Sequence, residues 1–131
     1  MLRGLTTVSF YADDLDAASR WYAEVLGIEP YFARPGYVEF RLGDSEDELG
    51  IIDRRYAPRP AAGPGGAIVY WHVDDLAATV DRLLTLGATE FEPVRERGHG
   101  FVTASVVDPF GNVLGVMLNP HYLQVLGAPR P

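Results

Sequence analysis

The chain contains no cysteine, which excludes disulfides, thiol nucleophiles and thiolate metal ligands together. It has no block of basic residues: 11 Lys and Arg stand against 18 Asp and Glu, a formal net charge of -7. That balance argues against nucleic acid, whose phosphates demand a basic footprint, and against docking on anionic lipid. Long apolar runs are missing too. The opening MLRGLTTVSF lacks the apolar stretch of a secretory signal, and no segment approaches the roughly 20 apolar residues that cross a bilayer. A cytoplasmic location with no membrane partner is the expectation. What is present is ordinary: 131 residues, 47% hydrophobic and 22% charged, enough for one domain with a hydrophobic core.

Two segments share one pattern. Residues 6–27 read TTVSFYADDLDAASRWYAEVLG and residues 67–87 read AIVYWHVDDLAATVDRLLTLG. Aligning Asp13-Asp14-Leu15 on Asp74-Asp75-Leu76 brings the Leu-Gly endings one residue out of step, so the second helix should be one residue shorter. A long repeat present twice indicates a duplicated module. In each copy a β-branched and aromatic run (6–11, 67–73) reads as a strand. The Asp pair then offers acceptors to the free N–H groups of a helix start. Leu15, Ala18, Tyr22, Val25 and Leu26 follow at helical spacing, as do Leu76, Val80, Leu83 and Leu84. Gly27 and Gly87 sit where a left-handed cap is wanted. Three strand-like runs follow each helix, at 30–33, 37–42 and 48–53, then 89–94, 101–107 and 113–118, separated by turn residues. The order is therefore β-α-β-β-β twice, with module 1 at about 5–56, a Pro/Gly/Ala linker at 57–66, module 2 at about 67–119 and a tail at 120–131.

That double module resembles the vicinal-oxygen-chelate superfamily, the glyoxalase and bleomycin-resistance fold. Asp14-Leu15, Arg20-Trp21-Tyr22 and Leu26-Gly27-Ile28 resemble the family's opening helix, and Asp108-Pro109-Phe110-Gly111-Asn112 resembles the turn before its last strand. The resemblance covers nearly the whole chain. It implies an α+β domain in which each half curls a mixed sheet into a cup, helices outside and ligand inside. Strand alternation then divides the residues into two faces. Val8, Phe10, Val38, Phe40, Leu49, Ile51, Val69, Trp71, Val73, Val102, Ala104, Val106, Leu114 and Val116 belong to the helix side. The opposite face gathers Thr7, Ser9, Tyr11, Tyr37, Glu39, Arg41, Glu48, Gly50, Ile52, Tyr70, His72, Thr103, Ser105, Val113, Gly115 and Met117. A face that interleaves Tyr, His, Glu, Arg and Gly suits a small-molecule site.

The resemblance also implies four metal ligands, each His, Gln or Glu, on the first and last strand of each half. Counting from the helix Asp and from the Leu-Gly pairs places those positions at Thr7, Gly50, Ile68 and Gly115. Two have no side chain and one is aliphatic, so the family's metal-dependent chemistries are put in doubt. A two-residue slip in one strand would substitute Glu48, which alone does not complete a set. Gly50 and Gly115 would either open the cup floor to a flat ligand or ease strand curvature.

The leading expectation is metal-independent binding of a small molecule, an aromatic antibiotic or natural product, with no cofactor. Its ligand-binding residues are Thr7, Ser9, Tyr11, Tyr37, Glu39, Arg41, Gly50, Tyr70, His72, Thr103, Ser105, Gly115 and Met117. The alternative is an enzyme of lyase or isomerase type using Glu39, Glu48 or His72 without the usual metal. Plainer readings stand beside these: His72 as a hydrogen-bonded structural histidine, Glu39 and Arg41 as an exposed strand pair, the tyrosines as sheet packing. His99, between two glycines, is a hairpin turn or a lid hinge. Homodimerisation is expected from the resemblance, with the apolar residues of 120–126 covering the interface.

Overall fold

A computed structural model describes residue 1, residues 3–58 and residues 63–127. The middle of the linker and the last four residues of the tail lie outside the described residues. By its contacts the chain forms two compact units, Met1–Gly63 with Phe110–Asn112, and Pro64–Pro109 with Val113–Pro131.

The first unit holds β1 (Thr7–Ala12), α1 (Leu15–Leu26), β2 (Phe32–Arg34), β3 (Tyr37–Leu42) and β4 (Asp47–Asp53), followed by a single 3-10 turn at Arg54–Tyr56. Its sheet has the order β1-β4-β3-β2; β1 and β4 are parallel and the other pairs antiparallel. Helix α1 starts where the sequence places it: the Asp14 carboxylate accepts from the Ala17 N–H at 3.0 Å, and Gly27 closes the helix at φ 69°, a left-handed angle that costs a glycine little. Its buried face, Ala18 and Tyr22, packs on Phe10, Val38, Phe40, Leu49 and Ile51. These are the residues that alternation assigned to the helix side, and burying each large one contributes about 1.5–3 kcal/mol. Asn112 completes the unit, accepting from Tyr11 N–H at 3.0 Å and donating to Tyr11 C=O at 2.9 Å. Arg54 donates to Phe110 C=O at 2.8 Å and pairs with Asp13 at 3.1 Å.

The second unit repeats the plan with β5 (Val69–His72), α2 (Leu76–Thr85), β6 (Thr89–Gly98), β7 (Phe101–Val107), β8 (Val113–Leu118) and a third helix, α3 (Pro120–Gly127). The sheet order is β5-β8-β7-β6, with β5 and β8 parallel. Asp75 caps α2 by accepting from Ala78 N–H at 3.0 Å. The helix has 10 residues against 12 in α1, two fewer rather than one, because Leu86 serves as its cap and Gly87 lies beyond. Leu76 and Leu83 pack on Ala104, Val106, Leu114 and Val116.

Besides the shorter α2 and a shorter β5, Val69–His72 rather than 67–73, three features differ from the sequence reading. Strand β2 begins at Phe32 rather than residue 30, since Pro30 has no N–H to donate to a ladder. Strand β6 runs on to Gly98. Its Pro93 is tolerated because β6 is an edge strand, and irregularities interrupt its pairing with β7 between Glu90 and Glu92 and again before Arg95. His99 and Gly100 then form the two-residue turn, at φ 54° and 86°, both positive as the tightest hairpins require. The tail is the third difference. Asn119 accepts from Tyr122 N–H at 2.9 Å and Pro120 follows as the first helical residue, a standard N-terminal pairing.

Candidate functional site

The strand registers bring the expected polar residues into rows on the sheet face opposite the helices. In the first unit Thr7, Glu48 and Arg41 lie side by side, then Ser9, Gly50, Glu39 and Phe32, then Tyr11, Ile52, Tyr37 and Arg34. In the second unit Tyr70, Gly115, Ser105 and Glu92 form one row, and His72, Met117, Thr103 and Arg95 the next.

The first face is built around Tyr37. Its hydroxyl donates to Glu39 Oε1 at 2.8 Å, and Glu39 in turn lies 3.7 Å from Arg41 Nε, with only 13% of its side chain exposed. Arg41 rests on the exposed ring of Tyr31, its guanidinium carbon 3.7 Å from the ring centroid. Beside them Thr7 donates to Glu48 Oε1 at 2.7 Å. Burial and then the hydrogen bond to Glu39 push the Tyr37 phenol up to about 12; the charges of Glu39 and Glu48 act the same way and Arg34 opposes them. The phenol is therefore a neutral donor over the whole physiological range.

The second face centres on Glu92. Its Oε1 accepts from Tyr70 O–H and from Ser105 O–H, each at 3.1 Å. Ser105 is fully buried. Arg97 stands 3.7 Å from Glu92 Oε2 and donates from Nε to Thr103 at 3.0 Å. Burial, then the hydrogen bond to Glu92, raises the Tyr70 phenol above its ordinary value.

His72 has a different environment. Its Nδ1 accepts the Asn119 backbone N–H at 3.0 Å, its ring stacks on Tyr122 at 5.1 Å and 13°, and 9% of its side chain is exposed. Nε2 lies 3.3 Å from Asp74 Oδ1 but lacks the alignment of a hydrogen bond. Those contacts tie β5 to the start of α3. Met117 joins the same group, its sulfur accepting from Asn119 Nδ2 at 3.6 Å. Tyr11 is held through its backbone by Asn112, and Ser9 faces solvent.

Gly50 and Gly115 do not form an open floor. A Cβ on Gly50 would stand 2.7 Å from Tyr37 Oη, and one on Gly115 2.6 Å from Tyr70 Cδ1. A tyrosine already fills each space.

Residues 4–116 match the Glyoxalase/Bleomycin resistance protein/Dioxygenase superfamily. The chain belongs to this superfamily. No curated protein is similar to it in sequence. Among solved structures, this superfamily member is similar to a glyoxalase-related enzyme from Fulvimarina pelagi, at 22% identity and a TM-score of 0.73 over 91% of this chain and 90% of that one. A glyoxalase/bleomycin resistance protein/dioxygenase family enzyme from Burkholderia phytofirmans PsJN gives 18% identity and 0.72 over 88% and 98%. A bleomycin resistance determinant encoded on the transposon Tn5 gives 23% identity and 0.66 over 90% and 99%. At these identities the likeness is one of fold, and fold does not fix chemistry.

The positions equated above with metal ligands hold Thr7, Gly50, Ile68 and Gly115. Together they supply one side-chain oxygen, and it is hydrogen-bonded to Glu48. Among the described residues no group of 3 or more His, Cys, Asp or Glu side chains is placed to hold a metal ion. The donor set does not fit a divalent cation. No described helix is long and apolar enough to cross a membrane.

Sequence reasoning missed Tyr31, Phe32, Glu92 and Arg97. Glu92 escaped because an extra residue in β6 reverses its side: Glu90 pairs with Val106 on the helix side, yet Glu92 pairs with Ser105 on the other.

Proposed function

We propose that this superfamily member is a cytoplasmic protein that binds a flat aromatic small molecule, an antibiotic or natural product, and does so without a metal ion. One observation carries the reading: each sheet presents, away from its helix, a half-buried tyrosine whose hydroxyl is pinned to a carboxylate. Large rings with a polar edge give contact area and orientation at low entropic cost. The resistance determinant with the same fold is consistent with sequestration. In this reading the chain works as a homodimer, and the exposed Leu123, Val125 and Leu126 of α3 supply apolar surface for pairing; light scattering at monomer mass would remove that part.

Calorimetry with a panel of flat aromatic antibiotics tests the function, alongside thermal shifts with Ni, Zn, Mn and Fe(II). Binding of at least one compound with no stabilisation by any of the four metals is the expected pattern. Stoichiometric metal uptake that raises Tm would overturn the metal-independent part. A lyase- or isomerase-type reaction through Glu39, Glu48 or His72 instead requires a substrate-dependent rate that disappears in Glu48→Ala or His72→Ala.

A further inference from the structure

Gly50 and Gly115 occupy equivalent places on the last strand of each module. Neither has a positive φ, so neither is glycine for the sake of its backbone angle. What the two share is a neighbour. At Gly50 the phenol end of Tyr37 takes the place of a side chain, with Oη, Cε1 and Cζ at 2.7, 2.8 and 3.1 Å from an ideal Cβ. At Gly115 the ring of Tyr70 does the same, with Cδ1 and Cγ at 2.6 and 2.9 Å. The two rings come from strands that are not equivalent, Tyr37 from β3 and Tyr70 from β5. The duplicated sequence therefore does not account for the recurrence.

The surroundings recur as well. Each phenol donates to one oxygen of a carboxylate on its own face, and the other oxygen of that carboxylate has an arginine at 3.7 Å, beyond hydrogen-bonding distance. Oε2 of Glu39 and Oε2 of Glu92 are ion-paired with their arginines at a distance longer than a hydrogen bond. Glycine, ring, carboxylate and arginine thus make one four-part arrangement, built once in each unit.

We propose that Gly50 and Gly115 are seats that lay Tyr37 and Tyr70 against the sheet as two separate stacking platforms, and that these platforms select a planar aromatic ligand whose N–H donor reaches the arginine-paired oxygen of Glu39 or Glu92. This rests on the small-molecule function above and names the residues and ligand class that give it specificity. The ring held against backbone loses little entropy on binding, and the fixed carboxylate sets the ligand's in-plane direction.

The test uses the full-length protein, 9-aminoacridine as a flat aromatic amine and 1-adamantylamine as a non-planar amine of like charge. The wild type should bind 9-aminoacridine, and adamantylamine at least about tenfold more weakly. The double variant Tyr37→Phe/Tyr70→Phe keeps the rings but releases the carboxylates and should lose only about threefold, whereas Tyr37→Leu/Tyr70→Leu should lose about tenfold or more. A second readout needs no ligand. Gly50→Ala must move the Tyr37 phenol, because the clashing atoms are the far end of that side chain. Ultraviolet titration should then show the Tyr37 transition moving from about 12 down toward its ordinary 10. Gly115→Ala is less informative, since its Cβ would also meet the Val69 carbonyl at 2.7 Å.

An unchanged titration in Gly50→Ala overturns the seat. Leu variants that bind 9-aminoacridine as well as wild type overturn the platforms while leaving the binding function intact. A wild type that binds no member of the aromatic panel overturns both.

Discussion

Replacing Asn112 removes a pair of hydrogen bonds with a calculable effect. Its amide accepts the Tyr11 N–H at 3.0 Å and donates to the Tyr11 carbonyl at 2.9 Å, so a residue far along the chain acts as a strand partner at one residue of β1. Each such bond contributes a net ~1 kcal/mol. Asn112→Ala removes both, and because Tyr11 and Asn112 are half-buried water replaces them only in part. The expected loss is about 2 kcal/mol. Asn112→Asp is the sharper variant. The aspartate still accepts the N–H but sets a carboxylate oxygen against the Tyr11 carbonyl at the former 2.9 Å contact. That contact disfavours the ionised form, while Arg54, which reaches the same carbonyl at 3.5 Å but is already paired with Asp13, acts the other way. The carbonyl is expected to win, and the folded pKa of this aspartate to lie above its unfolded value. Stability is then fully present below the unfolded value, about 3.9, and is lost as pH rises through the folded one. Asn112→Asp should therefore be at least as unstable as Asn112→Ala at pH 7 and recover relative to it on acidification. Urea unfolding at several pH values, with an unchanged m-value as the sign of an intact two-state transition, measures both. A loss under about 0.5 kcal/mol in Asn112→Ala, or an Asp variant as stable as wild type at pH 7, would refute the reasoning.

Phe40 is fully buried under α1, and Phe40→Ala should cost about 3–5 kcal/mol in chemical denaturation. Asp14→Ala and Asp75→Ala each remove a helix cap and should each cost about 1 kcal/mol, with Asn in place of Asp restoring most of it. Tyr37 carries a phenol raised from 10.0 to about 12. The stability tied to its neutral form is complete below pH 10 and lost as pH climbs toward 12, so Tyr37→Phe should flatten the alkaline limb of the stability profile in that window. Identical alkaline profiles for wild type and variant would remove Tyr37 from the account.

Much of the architecture is set by the sequence alone, because it rests on periodicities that act locally. The repeated Asp-Asp-Leu fixes where α1 and α2 begin through a carboxylate within reach of an N–H three residues ahead. Period-two alternation separates Phe10, Val38, Phe40, Leu49 and Ile51 from Thr7, Tyr37, Glu39 and Glu48, since each strand turns successive side chains to opposite faces. That Thr7, Gly50, Ile68 and Gly115 offer a single side-chain oxygen between them is likewise a matter of residue identity. α3 was legible too, in Asn119-Pro120, a capping pair that an apolar reading of the tail overlooked.

Other features belong to tertiary structure. Whether a glycine opens space or is filled depends on where a ring from another strand comes to rest, and no spacing within 113–118 places Tyr70 over Gly115. His72 acquires its partners only when α3 brings Asn119 and Tyr122 against β5. Glu92 faces Ser105 because one extra residue in β6 reverses the side on which it emerges. A local pattern specifies which face a residue prefers while the register is regular. An irregular register, and the contacts between distant segments, are settled only when the strands pair and the side chains compete for the same space.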